Sequence, residues 1–318
     1  MDFCCRLILS GCLAATLSFF VFVFSLGAQQ TPAAGPPGGA RVVSAADKDC
    51  LQCHGPKSDQ PVGDIGVTKH GTATDRRTPD CRSCHGDSGA HIADPKAAKT
   101  DIQYHAKSST EPAKQNGQCL ACHRGGHMIL WPGSPHQSQE VTCGSCHKMH
   151  TPRDPVMTKT QQTQVCTACH KQQHVQLKKP SRHPIVEGKV RCSDCHNPHG
   201  SAGPALMARD TVNGTCFKCH AEKRGPFIWN HQPVTENCAL CHEPHGSTVA
   251  SMLKWRQPFL CQQCHEITSH RGAIPSLTAP GTTTGIGSTL ARSCVNCHTN
   301  IHGSNNPTNS AGSRSFRR

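Results

Sequence analysis

The pentapeptide C-x-x-C-H recurs ten times in this 318-residue chain, and no other feature restricts its folding as strongly. The copies are Cys50/Cys53/His54, Cys81/Cys84/His85, Cys119/Cys122/His123, Cys143/Cys146/His147 and Cys166/Cys169/His170, followed by Cys192/Cys195/His196, Cys216/Cys219/His220, Cys238/Cys241/His242, Cys261/Cys264/His265 and Cys294/Cys297/His298. They use 20 of the 23 cysteines, leaving Cys4, Cys5 and Cys12 near the N-terminus. A zinc ribbon pairs C-x-x-C units but needs no histidine after each. A thioredoxin-type enzyme needs one such motif in a βαβ setting. The histidine directly after the second cysteine marks covalent attachment of haem c, with two thioethers on the porphyrin and the imidazole on iron. On a helical turn, residues i, i+3 and i+4 share a face, so both sulfurs and the imidazole point at one macrocycle.

Ten haems also resolve a difficulty of composition. Aromatic residues make up 4% of the chain, against 28 glycines and 23 prolines. Such a chain cannot build a large side-chain core, so the haems must supply the apolar mass. The expected fold is a multihaem cytochrome c, mostly irregular, with short α-helices around the motifs and little or no sheet. The net charge of +13 invites a nucleic-acid partner. A ferric bis-imidazole haem with ionised propionates carries about −1, however, and ten of them nearly cancel the excess. The basic residues are read as counter-charges to propionates, and no nucleic-acid partner is expected.

Residues 1–28 read as a secretory signal peptide, apolar and uncharged from Leu7 to Ala28. Two alternatives stand beside it: a lipobox at Leu9-Ser10-Gly11-Cys12, and an uncleaved anchor long enough to span a bilayer. Export suits a chain whose cysteines take haem outside the bacterial cytoplasm. Residues 29–46 read as a flexible linker, 47–307 as the haem domain and 308–318 as a basic tail.

Thirteen histidines lie outside the motifs. His199 follows His196 by three residues, a reach of at most about 10 Å. That is too short to round the macrocycle edge, so His199 is expected to bind a different iron. Taking the motifs in pairs gives a repeat with starts near 50, 119, 166, 216 and 261. Each unit has a histidine between its motifs, at His70, His136, His183, His231 and His270. Each has another after its second motif, at His91, His150, His199, His245 and His302. These ten are the candidate distal ligands for ten irons, and His105, His127 and His174 are surplus. Bis-histidine ligation leaves no open coordination position, which favours electron transfer over catalysis.

The stretches RCSDCHNPHGS, CHAEKRGPFIWNHQPVTENCALCHEPHGS, MLKWRQPFLCQQCH and RSCVNCHTNIHGSNNP closely resemble the MtrA/DmsE decahaem cytochromes. The likeness runs from Asp47 to Pro307 and is strongest from Val165 onward; the interval His85 to Cys119 and the region Gly125 to Pro135 depart from it. The resemblance implies a periplasmic electron-transfer protein, not an enzyme, with ten haems in a near-linear stack. It implies an outer-membrane β-barrel porin as partner. It also implies periplasmic or inner-membrane cytochrome donors and an extracellular multihaem cytochrome or reductase. Two other readings are a soluble periplasmic shuttle and a multihaem reductase.

Overall fold

Each C-x-x-C-H motif folds into one helical turn, closed by its own backbone. The amide of the motif histidine donates to the carbonyl of the first cysteine in His54, His123, His147, His170, His196, His220, His242, His265 and His298, at 2.9–3.1 Å. His85 lies in the helical turn Cys81–His85. The face shared by i, i+3 and i+4 is therefore realised in the nine motifs that are described throughout. The computed structural model describes residues 47–55, 58, 62–71, 78–105, 108–265, 293–296, 298–306 and 316. Two expected site residues, His270 and Cys297, lie outside the described residues, so the tenth motif is described only at Cys294 and His298 among its haem-binding positions. The expected signal peptide, the linker and all of the basic tail but Phe316 also lie outside them.

The two motifs of a unit sit differently on their helices. The first closes a helix: Lys48–Cys53, Pro112–Leu120, Gln162–Thr167, Val212–Cys216 and Phe259–Gln262 each carry a first-motif cysteine in their last turn. The second opens one, with Cys81, Cys143, Cys192, Cys238 and Cys294 as the first residue of a turn. Local side chains cap several of these starts. Asp80 accepts from the Ser83 amide at 2.7 Å, and Asn237 from the Ala239 amide at 2.8 Å.

Between helices the chain runs as turns, and the described residues contain no β-strand. Backbone pairing across the sequence is confined to isolated bridges such as Ser181 with Ser247 and Trp229 with Ser304. These tie the segment before one unit's middle histidine to the segment after the next unit's trailing histidine. Among the described residues the buried apolar side chains are Ile102, Trp131, Leu177 and Ile185, while Ile129, Trp255 and Phe259 stand exposed. A side-chain core of that size does not organise such a chain. No helix among the described residues is long and apolar enough to cross a membrane.

Candidate haem-binding sites

Nine motif histidines each face one candidate distal histidine. The ring centroids are 6.2 Å apart for His54–His91, 6.0 Å for His85–His150 and 5.9 Å for His123–His70. They are 6.0 Å apart for His147–His199 and 6.1 Å for His170–His136. The spacing is 6.0 Å for His196–His245 and 6.2 Å for His220–His183. It is 6.3 Å for His242–His302 and 6.0 Å for His265–His231. At the tenth site His298 and Cys294 are described, whereas the second thioether position, Cys297, and the candidate partner, His270, are not. The exposed His105, His127 and His174 stack on no motif histidine.

The constancy of these distances identifies what the pockets suit. The interplanar angle ranges from 12° in His147–His199 to 76° in His70–His123, yet the separation hardly changes. Directly stacked rings change separation as they tilt. Two imidazoles on one metal, at about 2.0–2.1 Å per bond with each ring's half-width added, hold their centroids about 6 Å apart at any rotation. Buried donors without acceptors complete the fit: Arg82 Nε, Arg182 Nε and Trp131 Nε1. Trp131 lies edge-on to His199 at 6.5 Å.

Several outer ring nitrogens are held so that Nε2 is left for iron, whereas the buried Nδ1 of His54 has no partner among the described residues. His85, His196 and His242 donate from Nδ1 to the carbonyls of Ile102, Ala205 and Ser251 at 3.1, 2.9 and 2.8 Å. Ala205 and Ser251 occupy the left-handed region at φ 50° and 57°, a strained turn that presents the carbonyl to the ring. His147 instead meets a carboxylate, Asp154 Oδ2, at 2.6 Å. Among the distal candidates, burial lowers the pKa of His70, His199, His231, His245 and His302, and the facing motif histidine adds to the effect. Neutral imidazole is the ligating form.

The pairing follows a rule that the sequence did not disclose. The middle histidine of one unit faces the first motif of the next: His70 with His123, His136 with His170, His183 with His220, His231 with His265. The trailing histidine faces the second motif of the unit before: His150 with His85, His199 with His147, His245 with His196, His302 with His242. His91, with no unit before it, turns back on His54 in its own unit. Adjacent units are thus interlocked.

The cysteines give the order of the sites. Within units, the sulfurs of Cys119 and Cys143, Cys166 and Cys192, Cys216 and Cys238, and Cys261 and Cys294 come within hydrogen-bonding reach. Between units, Cys84 feels Cys119 and Cys122, Cys146 feels Cys169, Cys195 feels Cys219 and Cys241 feels Cys264. From Cys84 onward, motifs that neighbour in sequence are therefore neighbours in space. Tyr104, the one tyrosine of the chain, packs edge-on to His85 at 5.4 Å and donates to the Cys84 carbonyl at 2.8 Å. Nothing in its local sequence marked it for this place.

Comparison with known proteins agrees with this site chemistry. The chain is 43% identical over 266 residues to "Multiheme cytochrome MtrA" of Shewanella baltica, covering 81% of this chain and 78% of that protein. It belongs to the MtrA family of multihaem cytochromes. A model described as "Doubled CXXCH motif" matches residues 183–225 and 231–270, and one described as "Cytochrome c-type protein NrfB-like" matches 81–160. The "Cytochrome c-type protein NrfB" of Haemophilus influenzae is 27% identical over 162 residues, 44% of this chain and 70% of that protein. The "High-molecular-weight cytochrome c" of Nitratidesulfovibrio vulgaris is 24% identical over 222 residues, 67% of this chain and 36% of that protein. As a member of the MtrA family, the chain carries covalently bound haem c and serves multihaem electron transfer.

Proposed function

We propose that the chain is a ten-haem wire that carries electrons across the outer membrane. All ten C-x-x-C-H motifs bind haem c through their two cysteines, the last through Cys294 and Cys297. The nine facing histidine pairs, and His298 with His270, supply the axial ligands. The observation that carries this reading is the sequential order of the sites, with cysteine sulfurs within hydrogen-bonding reach inside units from Cys119 to Cys294 and cysteines of adjacent units close enough to act on one another from Cys84 to Cys264. Electrons entering at one end have a single path, one haem to the next. With both axial positions of every iron filled by histidine, the wire binds no substrate, and histidine pairs hold the potentials low.

At about 10 Å per step, near van der Waals contact of macrocycle edges, ten haems outreach a bilayer about 40–45 Å thick. A chain of turns and short helices facing lipid would leave backbone groups unsatisfied at several kcal/mol each. A closed β-barrel with a polar lumen removes that cost. The chain therefore works in the periplasm after loss of residues 1–28, with 29–46 as linker and 308–318 as tail around the haem domain 47–307. It sits in an outer-membrane porin, draws on periplasmic or inner-membrane cytochromes, and meets an extracellular multihaem cytochrome or reductase.

Liposomes enclosing a redox dye test the wire. The chain with its barrel partner should exchange electrons with the sealed dye, and the chain alone should not. Transfer by the chain without a barrel, or none by the assembled pair, would replace the wire with a soluble periplasmic shuttle.

A further inference from the structure

In every unit, one polar side chain just upstream of the first motif reaches across to the start of the second. Asp47 Oδ1 accepts from the Cys81 amide at 2.8 Å, Asn116 Oδ1 from Cys143 at 2.8 Å and Asn213 Oδ1 from Cys238 at 2.7 Å. Each of these stands three residues before the first cysteine of its unit. The two remaining units place a glutamine four residues before it, and the longer side chain accepts from the next amide along. Gln162 Oε1 takes the Ser193 amide at 3.0 Å, and Gln257 Oε1 the Val295 amide at 3.1 Å. Exposure is 2% for Asp47, 6% for Asn116 and Gln162 and 7% for Asn213.

These contacts are more than helix capping. Asp80 and Asn237 already cap their turns locally, yet the distant side chain still takes the amide of the first cysteine. The amide groups are also held from behind: Asn116 donates to the Val141 carbonyl at 3.1 Å, Gln162 to Val156 at 2.7 Å, and Asn213 to Val234 and Thr235 at 2.9 and 3.1 Å. Each side chain bolts the helix that ends in one thioether site to the turn that begins the other. The bolts leave both axial ligands untouched.

We infer that Asp47, Asn116, Gln162, Asn213 and Gln257 are positioning residues that set the gap and tilt between the two haems of each unit. The inference rests on the proposed occupancy of all motifs. Cutting a bolt should leave attachment and ligation intact, because neither passes through it. Electron exchange within the pair should slow, because tunnelling falls steeply with edge separation.

The test uses the full haem-loaded chain with Asn213→Ala and Asn213→Asp. The aspartate keeps an acceptor for the Cys238 amide, as Asp47 does for Cys81. Asn213→Ala should retain haem content and low-spin spectra, change the spin-coupled EPR signal of the haems at Cys216 and Cys238, and slow equilibration within that pair severalfold after flash reduction. Asn213→Asp, which keeps the acceptor for the Cys238 amide but loses the donor to Val234 and Thr235, should restore the coupled signal in part. Gln257→Ala, at a less buried bolt, repeats the measurement at Cys261 and Cys294 if Asn213→Ala loses haem. A variant with a lowered Tm but unchanged coupling and equilibration would overturn the inference and leave the bolts merely structural. Absence of haem from Cys216 or Cys238 in the unmodified chain would instead overturn the proposed occupancy.

Discussion

His183 donates its Nδ1 hydrogen to the carbonyl oxygen of Pro244 at 2.8 Å, and Pro244 is the residue before His245. His183 faces His220 while His245 faces His196, so one hydrogen bond joins the distal sides of two consecutive sites. The same link recurs from His136 to Pro198, before His199, at 2.7 Å, and from His231 to Ile301, before His302, at 3.0 Å. Distal histidines are therefore held in coupled pairs across unit boundaries.

Replacing His199 with alanine should convert one haem, that facing His147, from low to high spin. Haem content should stay at ten, since the thioethers do not involve His199. Pyridine-haemochrome quantitation with EPR checks both. His174→Ala, on an exposed face, should leave every haem low-spin; a high-spin centre there would invalidate the assignment of His183 to His220.

Asp154→Asn should raise the midpoint potential of the haem at Cys143. The carboxylate at 2.6 Å from His147 Nδ1 would make the imidazole a stronger donor and favour the ferric state of a haem bound there. Removing its charge shifts the couple toward ferrous. Spectroelectrochemical titration should find one haem displaced by several tens of millivolts and the rest unchanged, since 59 mV is about a tenfold change for one electron.

Gly246→Ala should disturb two haems. Gly246 sits at φ 144° directly after His245, and a Cβ there would collide with the Gln176 carbonyl. The backbone cost alone is about 1–3 kcal/mol. The loop carrying His245 and the Pro244 carbonyl must move, so the sites of His196 and His220 should both broaden in EPR, with a lowered Tm.

A chain denied haem should not hold its tertiary structure. Its four described buried apolar side chains give about 1.5–3 kcal/mol each, while ordering the backbone costs about 1–2 kcal/mol per residue. Near-UV circular dichroism and limited proteolysis of a Cys→Ser chain should report loss of fixed packing.

Much of this was legible in the sequence. C-x-x-C-H needs only local geometry, so the motifs, their helical turns and the sparse regular structure follow from spacing. Nine candidate distal histidines, which recur in register with the motifs, each face a motif histidine, and the tenth, His270, lies outside the described residues. Their partners do not follow from spacing: His70 and His123 lie in different units, and nothing local to either names the other. The spacing of His199 from His196 required only a second iron; the fold sets it against His147. The five bolts escaped notice because Asp, Asn and Gln alternate at two offsets and read as ordinary polar residues. Their position relative to the first cysteine was the available signal.

The exchange of histidines between neighbours makes this architecture extensible. A unit inserted in the middle would give one ligand forward and one backward, and would receive one from each side. The tally of irons and ligands would still match. Only the two end units must differ, the first as His91 does by turning back on His54. Gene duplication could therefore lengthen such a protein two haems at a time, with its ends kept unchanged while its span adapts to the barrier it crosses.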